Sequence, residues 1–233
     1  DYFEALFRVA QAEAARIPVI CIDGPTASGK GTIAAALAQR LGYGFLDSGA
    51  LYRIAGHAGV QAGLALTPDN EAALAQLAQT LPIRFDGSRI WLGDADVSEA
   101  IRTEEAGMNA SRISALPAVR TALVALQHGF ARLPGLVADA RDMGTGIFPQ
   151  APRKVFLTAS AACRAERRYQ QLLAKGVSAN IADLRADLEA RDARDSSRSV
   201  APLKPAQDAL VLDCSALTID EVLAQILSWW QER

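Results

Sequence analysis

The sequence has few cysteines and little net charge, and each shortage removes a class of protein. Its 3 Cys in 233 residues are widely spaced, with no CxxC pair, which excludes a disulfide framework. Cys21 and Cys214 lie in apolar runs, so we expect both to be buried in a reducing compartment. The formal net charge of −2 argues against general affinity for nucleic acid or acidic membranes.

Long hydrophobic runs are also missing. No stretch of about 18 apolar residues occurs, so we expect no membrane span. The acidic residues near the start of the chain do not fit a secretory signal peptide, and we therefore expect a cytoplasmic protein. The apolar positions Phe3, Leu6, Phe7 and Ala10 predict an amphipathic helical extension over residues 1–17.

What the sequence does contain is a series of short apolar runs separated by helical patterns. These runs lie at 19–23, 45–46, 136–139, 155–158 and 209–213. After the first run, Ile33, Leu37 and Leu41 recur at helical spacing. Strands that alternate with helices predict an α/β fold, a five-stranded parallel sheet flanked by helices.

One stretch departs from this alternation. Residues 83–85 and 89–92 flank Asp-Gly-Ser, a pattern typical of a β-hairpin. The hairpin falls in a segment of about ninety residues between the second and third predicted strands, which is too long for an ordinary crossover. Within a domain spanning 18–233 we therefore predict an inserted lobe at about 60–115, followed by a helix over 117–133.

A glycine-rich turn follows the first predicted strand. It reads GxxxxGK, between a strand and a helix, which is the context that a phosphate-binding loop requires. Lys30 then supplies a charge between the β- and γ-phosphates of ATP, and Thr32 can place its hydroxyl near Mg²⁺. The predicted nucleotide-binding residues are Gly24, Pro25, Thr26, Ala27, Ser28, Gly29, Lys30, Gly31 and Thr32.

The residue after the lysine is unusual. Gly31 stands where Ser or Thr is common, and Thr32 follows one position later. This Gly-Lys-Gly-Thr form resembles nucleoside monophosphate kinases and related small-molecule kinases more than motor or signalling NTPases. Asp139 ends a predicted strand and matches an acid that holds the metal directly or through water, although an ordinary strand-end Asp is the alternative. We predict Thr32 and Asp139 as the Mg²⁺ residues.

Three further segments carry a specific resemblance. They read LDSGALYR at 46–53, ADARDMGTGIFP at 138–149 and RDARDSSRSVAP at 191–202. Together with the phosphate loop they closely resemble bacterial cytidylate kinases, and the resemblance covers nearly the whole chain from Pro18 onward. Ala140 departs from the pattern, because the family usually has Gly there, which raises a question about the backbone of this turn.

The resemblance implies a P-loop kinase fold with an NMP-binding lobe and a mobile lid at about 160–200. It implies an enzyme that transfers the γ-phosphoryl group of ATP to CMP and also to dCMP, and we expect a monomer without nucleic-acid or membrane partners. The implied base contacts are Ser111, Arg120 and Asp142. Their chemistry suits cytosine, since Arg donates to ring acceptors and a carboxylate accepts from the amino group. Uracil would place a carbonyl against Asp142, so we expect discrimination against it.

The resemblance also implies arginine contacts to phosphates. The α-phosphate and ribose contacts are Ser48, Arg53, Arg141, Arg191, Asp195 and Arg198. The implied catalytic residues are Lys30, Arg141, Arg167, Arg168, Arg191 and Arg198. Spacing places Arg191, Arg194, Asp195 and Arg198 on one helix face. Arg164, Arg167 and Arg168 form a second cluster on a helix capped by Ser160. A solvated, charged outer face is the alternative for this second cluster, above all for Arg164.

Other functions stay open on the residues alone. A P-loop kinase could use UMP, AMP or a non-nucleotide such as shikimate as its acceptor. A regulatory nucleotide-binding module without transfer activity would lack the acceptor arginines, and a third possibility is a docking protein acting through the N-terminal helix. We expect His57 and His128 to be surface or packing residues, since neither lies in a motif.

Overall fold

A computed structural model describes residues 16–199 and 201–231. The helical extension predicted at 1–17 lies outside the described residues except for its last two positions. The chain divides into two compact units, the first made of the segments up to Tyr43 and from Leu133 onward, the second of Gly44–Arg132. None of the helices within the described ranges combines the length and the apolar character needed to cross a membrane.

The strands and helices alternate as predicted. The strands are β1 (Val19–Asp23), β2 (Gly44–Asp47), β3 (Ile83–Asp86), β4 (Arg89–Leu92), β5 (Ala95–Asp96), β6 (Leu136–Ala140), β7 (Arg153–Thr158) and β8 (Leu210–Asp213). The helices are α1 (Lys30–Leu41), α2 (Ser48–Gln61), α3 (Glu71–Gln79), α4 (Glu104–Ser114), α5 (Pro117–His128), α6 (Ala161–Ala174), α7 (Ile181–Ser196) and α8 (Ile219–Gln231).

The main sheet confirms the predicted fold class. It is a five-stranded parallel sheet in the order β2-β6-β1-β7-β8. Every residue of β1 and β6 is buried, as expected for parallel strands covered on both faces. Strand β1 lies between β6 and β7, so that Ile22 is opposite both Asp139 and Val155. The carboxyl ends of these three neighbouring strands therefore meet at one edge of the sheet.

The second unit combines helices with a small antiparallel sheet. The predicted hairpin is confirmed, with Ile83 opposite Leu92 and Asp86 opposite Arg89. Gly87 adopts a φ of 59° in the turn, a conformation that favours glycine. The two-residue strand β5 pairs with β4 and was not predicted. Helix α3 packs on α5, and α2 packs on α4.

One predicted helix boundary is wrong. The apolar pattern extended the helix after Pro117 to residue 133, but α5 ends at His128. The chain turns there, because the N–H of Phe130 donates to Gln127 O and that of Ala131 donates to His128 O. Gly129 and Pro134 are helix-breaking residues, so the apolar residues between them extend the pattern without extending the helix.

The prediction for the cysteines is confirmed. Cys21 and Cys214 are buried, and all three cysteines are free thiols. Burial is the main cause that raises the pKa of Cys21 well above its ordinary value, and it also raises the pKa of Cys214. Both thiols therefore stay protonated and unreactive at neutral pH, as expected for small buried apolar side chains.

Candidate active site

The predicted phosphate loop joins β1 to α1. Gly24 has no room for a side chain, because an added Cβ would lie 2.5 Å from the carbonyl oxygen of Leu157. Ala27 and Gly29 both adopt left-handed backbone, with φ values of 59° and 84°. This conformation costs a residue other than glycine about 1–3 kcal/mol, and such strain is common at functional sites. Ser28 is buried, and its Oγ has no hydrogen-bond partner among the described residues.

The structure explains why glycine follows Lys30. A Cβ on Gly31 would lie 3.2 Å from Oδ2 of Asp139, tighter than most contacts of this kind. The carboxylate of Asp139 therefore faces the start of α1, where Thr32 is exposed in the first turn. Among the described residues, no group of three or more His, Cys, Asp or Glu side chains could hold a metal ion. A hydroxyl and a carboxylate are the oxygen ligands that suit a Mg²⁺ whose remaining ligands are phosphates and water.

A second carboxylate fixes the turn that follows β6. Asp23, at the end of β1, accepts hydrogen bonds from the backbone N–H groups of Met143 (2.7 Å) and Gly144 (2.8 Å). Burial raises the pKa of Asp23 to about 6, and the two backbone hydrogen bonds lower it in part. Residues Met143–Ile147 form a π-helical turn with Asp142 directly before it. The side chain of Asp23 thus holds the segment that presents Asp142.

The backbone question at Ala140 is answered by the same region. Ala140 is the last residue of β6 and lies opposite Asp23 in the sheet. Among the described residues only Ala27 and Ala201 combine a side chain with positive φ, so Ala140 is unstrained. The Asp142 carboxylate approaches Gly146, where an added Cβ would lie 3.1 Å from its Oδ2. Replacing the family's usual glycine with Ala140 is therefore compatible with this turn.

Three predicted arginines surround one buried carboxylate. Asp195 is 2% exposed, and its Oδ1 lies 2.9 Å from Nη2 of Arg198. Its Oδ2 lies 3.2 Å from Nε of Arg141 and 4.0 Å from Nε of Arg191. We call these four residues the arginine cluster. Three guanidinium groups around one carboxylate leave an excess of two positive charges, a composition that favours an anionic ligand.

The electrostatics of Arg141 reflect this crowding. Burial is the main cause that lowers the pKa of Arg141 to about 10. The positive charges of Arg191 and Arg198 lower it further, while Asp195 raises it. Because this pKa still lies well above neutral pH, Arg141 stays charged. The cluster therefore keeps its positive excess under physiological conditions.

One part of the helical prediction was wrong. Helix α7 ends at Ser196, so Arg198 lies beyond the helix and not on its face. Arg198 still reaches Asp195, because the chain turns at Ser197, whose N–H donates to Ala193 O. Arg194 is exposed and forms none of the ion pairs with Asp195. Helical spacing alone did not show that Arg198 contacts Asp195 whereas Arg194 does not.

The three arginines predicted on the helix after Ser160 differ in burial. Ser160 caps α6 as predicted, its Oγ accepting from the N–H of Cys163 at 3.1 Å. Arg164 does not belong to a charged outer face, since it is 3% exposed and forms an ion pair with Asp192 of α7. Arg167 is half-buried, with Nη2 donating to Cys214 O at 2.6 Å. Arg168 is exposed, so of the three it is the side chain least fixed by the protein.

In the second unit, Arg53 is held against the start of α4. Its Nη1 donates to Ile101 O at 2.8 Å and to Thr103 O at 3.2 Å. Its Nη2 passes over Gly107, where an added Cβ would lie 3.1 Å away. Both contacts fix the guanidinium plane and leave further N–H groups available. Ser48, also predicted, is buried at the first position of α2.

The predicted base contacts Ser111 and Arg120 lie on neighbouring helices of the same unit. Nη1 of Arg120 donates to Ser114 O at 3.3 Å, at the end of α4. The Arg120 guanidinium lies 5.8 Å from the ring centroid of Tyr52, a cation–π arrangement. Ser111 is exposed on α4, one turn before Ser114. The structure thus places Arg120 between α2 and the end of α4.

Sequence reasoning missed the buried groups that support these residues. Asp23 gave a weak signal, as a carboxylate at the end of an apolar strand. Lys154 gave none, although it is buried and its Nζ donates to Pro149 O at 2.6 Å and to Asp208 Oδ1 at 3.0 Å. The partnership of Arg164 with Asp192 joins residues 28 positions apart and follows no local spacing rule.

A phosphate loop that opens a helix at the carboxyl edge of a parallel sheet makes this chain a P-loop kinase in fold. Its arginine cluster is the kind of site that receives a second anion. A family model described as cytidylate kinase matches residues 20–232, and the chain belongs to that family.

Several relatives support this assignment. A cytidylate kinase of Cupriavidus necator is 55% identical over 214 residues, which cover 92% of this chain and 96% of the relative. One of Ralstonia pickettii is 55% identical over 92% of both chains. One of Bordetella bronchiseptica is 53% identical, covering 94% of this chain and 98% of the relative.

Proposed function

We infer that this protein transfers the γ-phosphoryl group of ATP to CMP, giving CDP and ADP. The observation that carries the inference is the arginine cluster, in a chain that belongs to the cytidylate kinase family. Its excess positive charge suits the phosphate of a nucleoside monophosphate, and the phosphate loop suits a triphosphate. The reaction brings the triphosphate of ATP close to the phosphate of CMP, and each of these groups has its own set of hydrogen-bond donors.

The donor nucleotide binds at the phosphate loop. Backbone N–H groups of residues 24 and 26–32 and the N-terminus of α1 surround its phosphates, and Lys30 contacts the β- and γ-phosphates. Thr32 and Asp139 would hold Mg²⁺, directly or through water. When bound, the metal offsets negative charge on the phosphate oxygens. Because Gly31 has no side chain, the Asp139 carboxylate can lie close to the loop.

Base recognition belongs to Ser111, Arg120 and Asp142. Cytosine presents acceptors at O2 and N3 and a donor at N4, so it needs donors for the first two and an acceptor for the third. Arg120 supplies the donors and the Asp142 carboxylate is the acceptor. The hydrogen bonds from Met143 and Gly144 to Asp23 support this role, because they fix the turn that bears Asp142.

The phosphate and ribose of CMP or dCMP contact a larger set of side chains. These are Ser48, Arg53, Arg141, Arg191, Asp195 and Arg198. Arg53 is preorganised for this role by its two carbonyl contacts. Asp195 forms ion pairs with the three arginines and so positions them for the phosphate. Its Oδ2 is buried in this structure, so the proposed ribose contact requires this oxygen to be uncovered when the substrate binds.

The chemistry needs positioning and charge more than it needs a base. The attacking α-phosphate oxygen is already ionised at neutral pH, so no strong general base is required. Lys30, Arg141, Arg167, Arg168, Arg191 and Arg198 stabilise the charge that spreads over the transferring group. Of the two of these that lie on α6, Arg168 is exposed and Arg167 is half-buried. The lid at about 160–200 includes α6 and α7.

We propose that the enzyme acts as a monomer in the cytoplasm without nucleic-acid or membrane partners. Three free cysteines suit a reducing compartment, and the net charge of −2 gives no general attraction to polyanions.

A coupled assay of ADP release with a panel of acceptors tests the function. We expect the highest kcat/KM with CMP, appreciable turnover with dCMP, and weak activity with UMP, AMP and shikimate. Higher kcat/KM with one of the last three would replace the acceptor proposed here. ATP binding without turnover of any acceptor would favour a regulatory module. Omitting Mg²⁺ in the same assay tests the proposed metal, because full activity without it would contradict that assignment.

A further inference from the structure

Arg164 connects three separate parts of the first unit. Its Nε donates to Ala159 O at 2.9 Å, at the end of the loop that enters α6. Its Nη1 donates to Thr26 O at 3.2 Å and to Asp192 Oδ1 at 3.0 Å. Its Nη2 donates to the other oxygen of Asp192, which completes a two-pronged ion pair. A side chain only 3% exposed thus contacts the phosphate loop, the start of α6 and the middle of α7.

The two ends of this connection are the two anion sites proposed above. Thr26 belongs to the phosphate loop and directly precedes Ala27, which has positive φ. Asp192 lies three residues before Asp195 on α7, so the two carboxylates share a side of the helix. Asp195 is the centre of the arginine cluster. A single guanidinium therefore joins the backbone of the donor loop to the helix that bears the acceptor cluster.

Stability alone is a poor reason for such a pair. Removing two charges from water offsets much of their attraction, and apolar side chains of similar volume often stabilise a fold equally well. The planar, two-pronged geometry instead specifies direction, because a guanidinium fork fits a carboxylate in one orientation. The pair is thus better suited to fixing the position of α7 relative to the loop than to holding the fold together.

We propose that Arg164 and Asp192 are positioning residues that couple the phosphate loop to the arginine cluster, so that binding of ATP phosphates and binding of CMP favour one another. This inference rests on the proposed function. A triphosphate that fixes the loop also fixes Thr26 O, hence Arg164 and Asp192, and so the helix that presents Arg191 and Asp195. By linkage, CMP bound at the cluster favours the ATP-binding loop by the same factor.

Isothermal titration measures this coupling directly. The Kd of CMP is determined with and without saturating Mg²⁺ and AMP-PNP, a non-hydrolysable ATP analogue, and the ratio is the coupling factor. Coupling factors between two sites are typically about 5–150-fold. We expect a factor in this range for the native chain and below about 2-fold for Asp192→Asn. The variant keeps the shape of the side chain and removes its charge.

A matched control lies on the same helix. Glu189 forms an exposed ion pair with Arg185, at 3.0 Å. Glu189→Gln removes one carboxylate charge from α7, as Asp192→Asn does, but without contact to the loop. We expect this control to keep the coupling factor of the native chain. Equal losses in both variants would overturn the proposal, since they would report only the charge of the helix.

A second variant separates positioning from folding. In the double variant R164M/D192L, apolar side chains replace both partners, so no buried charge is left unpaired. We expect it to fold and to bind each nucleotide alone, with coupling lost. Coupling retained in either variant would overturn the inference. A loss of coupling that disappears at 10 °C would also overturn it, because partial unfolding of the variant would then be its cause. Absence of coupling in the native chain would also overturn it. Failure of the proposed function is distinct, because it would appear as absent CMP-dependent ADP release in the native enzyme.

Discussion

A side chain at residue 31 would make an unusually tight contact with the carboxylate of Asp139. The Cβ of an alanine there would lie 3.2 Å from Oδ2, so the carboxylate or the start of α1 must shift by a few tenths of an ångström. The common Ser or Thr after the P-loop lysine is therefore not equivalent to Gly31 in this chain. The hydroxyl it would provide is available one residue later, from Thr32.

Gly31→Ala should weaken catalysis without unfolding the protein. The added methyl group requires Asp139 or the start of α1 to shift by a few tenths of an ångström, which is less than the displacement of about 1 Å that reduces rates by about 10²-fold. We expect kcat/KM for MgATP to fall by about 2- to 10-fold and the Mg²⁺ concentration for half-maximal activity to rise. Steady-state kinetics over a range of Mg²⁺ measures both. Ala36→Ser, a half-exposed position on the same helix, is the control and should leave both unchanged. An unaltered Mg²⁺ requirement in Gly31→Ala would separate Asp139 from the metal.

Arg198→Ala and Arg191→Ala should each lower turnover with CMP by at least about 10², because each removes a donor proposed to stabilise the transferring phosphoryl group. Arg198 has the shorter contact to Asp195, 2.9 Å against 4.0 Å for Arg191. Arg194→Ala is the matched control, since it removes an exposed arginine of the same helix that makes no ion pair with Asp195. We expect near-native kcat for that control. Near-native kcat in both cluster variants would contradict the proposed clamp.

The fold was predictable wherever burial on both faces imposes a continuous apolar run. Strands β1 and β6 were located this way, and the GxxxxGK loop followed from its position between β1 and α1. Strand β5 was missed, because two residues leave no periodic signal. The helix after Pro117 was predicted to be too long, because an apolar pattern does not show where the helical hydrogen bonds end.

The candidate site was predictable only in part, because a motif identifies residues but not their partners. Spacing grouped Arg164 with Arg167 and Arg168, yet the structure buries Arg164 and exposes Arg168. Which face of a helix is buried depends on what packs against it, here Asp192 of α7. The role of Asp23 likewise depends on its hydrogen bond to a turn about 120 residues away in sequence. No rule based on local sequence could therefore identify that role.

Asp142→Asn should change which pyrimidine is preferred. The carboxylate accepts a hydrogen bond from the cytosine amino group in the proposed pose, whereas an amide can also donate one to the carbonyl of uracil. An unmatched buried polar group costs about 1–3 kcal/mol, so the ratio of kcat/KM for CMP to that for UMP should fall by at least about tenfold. KM for ATP should change little. Asp220→Asn, at an exposed carboxylate on α8, is the control. Equal effects on ATP and CMP would contradict a role for Asp142 in base recognition.

The buried carboxylate of Asp23 should give the protein a measurable pH dependence of stability. Its pKa is raised from 3.8 to about 6 in the folded state, so folding favours the protonated form. This contribution is fully present below about pH 4 and is lost as the pH rises through about 6, to a total of at most about 3 kcal/mol. Asp23→Asn removes the titration. The unfolding free energy of the native chain minus that of Asp23→Asn, from urea titrations between about pH 4 and about pH 7, should therefore decrease with pH. Asp86→Asn, at an exposed carboxylate of the second unit, is the control. An Asp23 difference that rises with pH would mean that the hydrogen bonds from Met143 and Gly144 outweigh the cost of burying the charge.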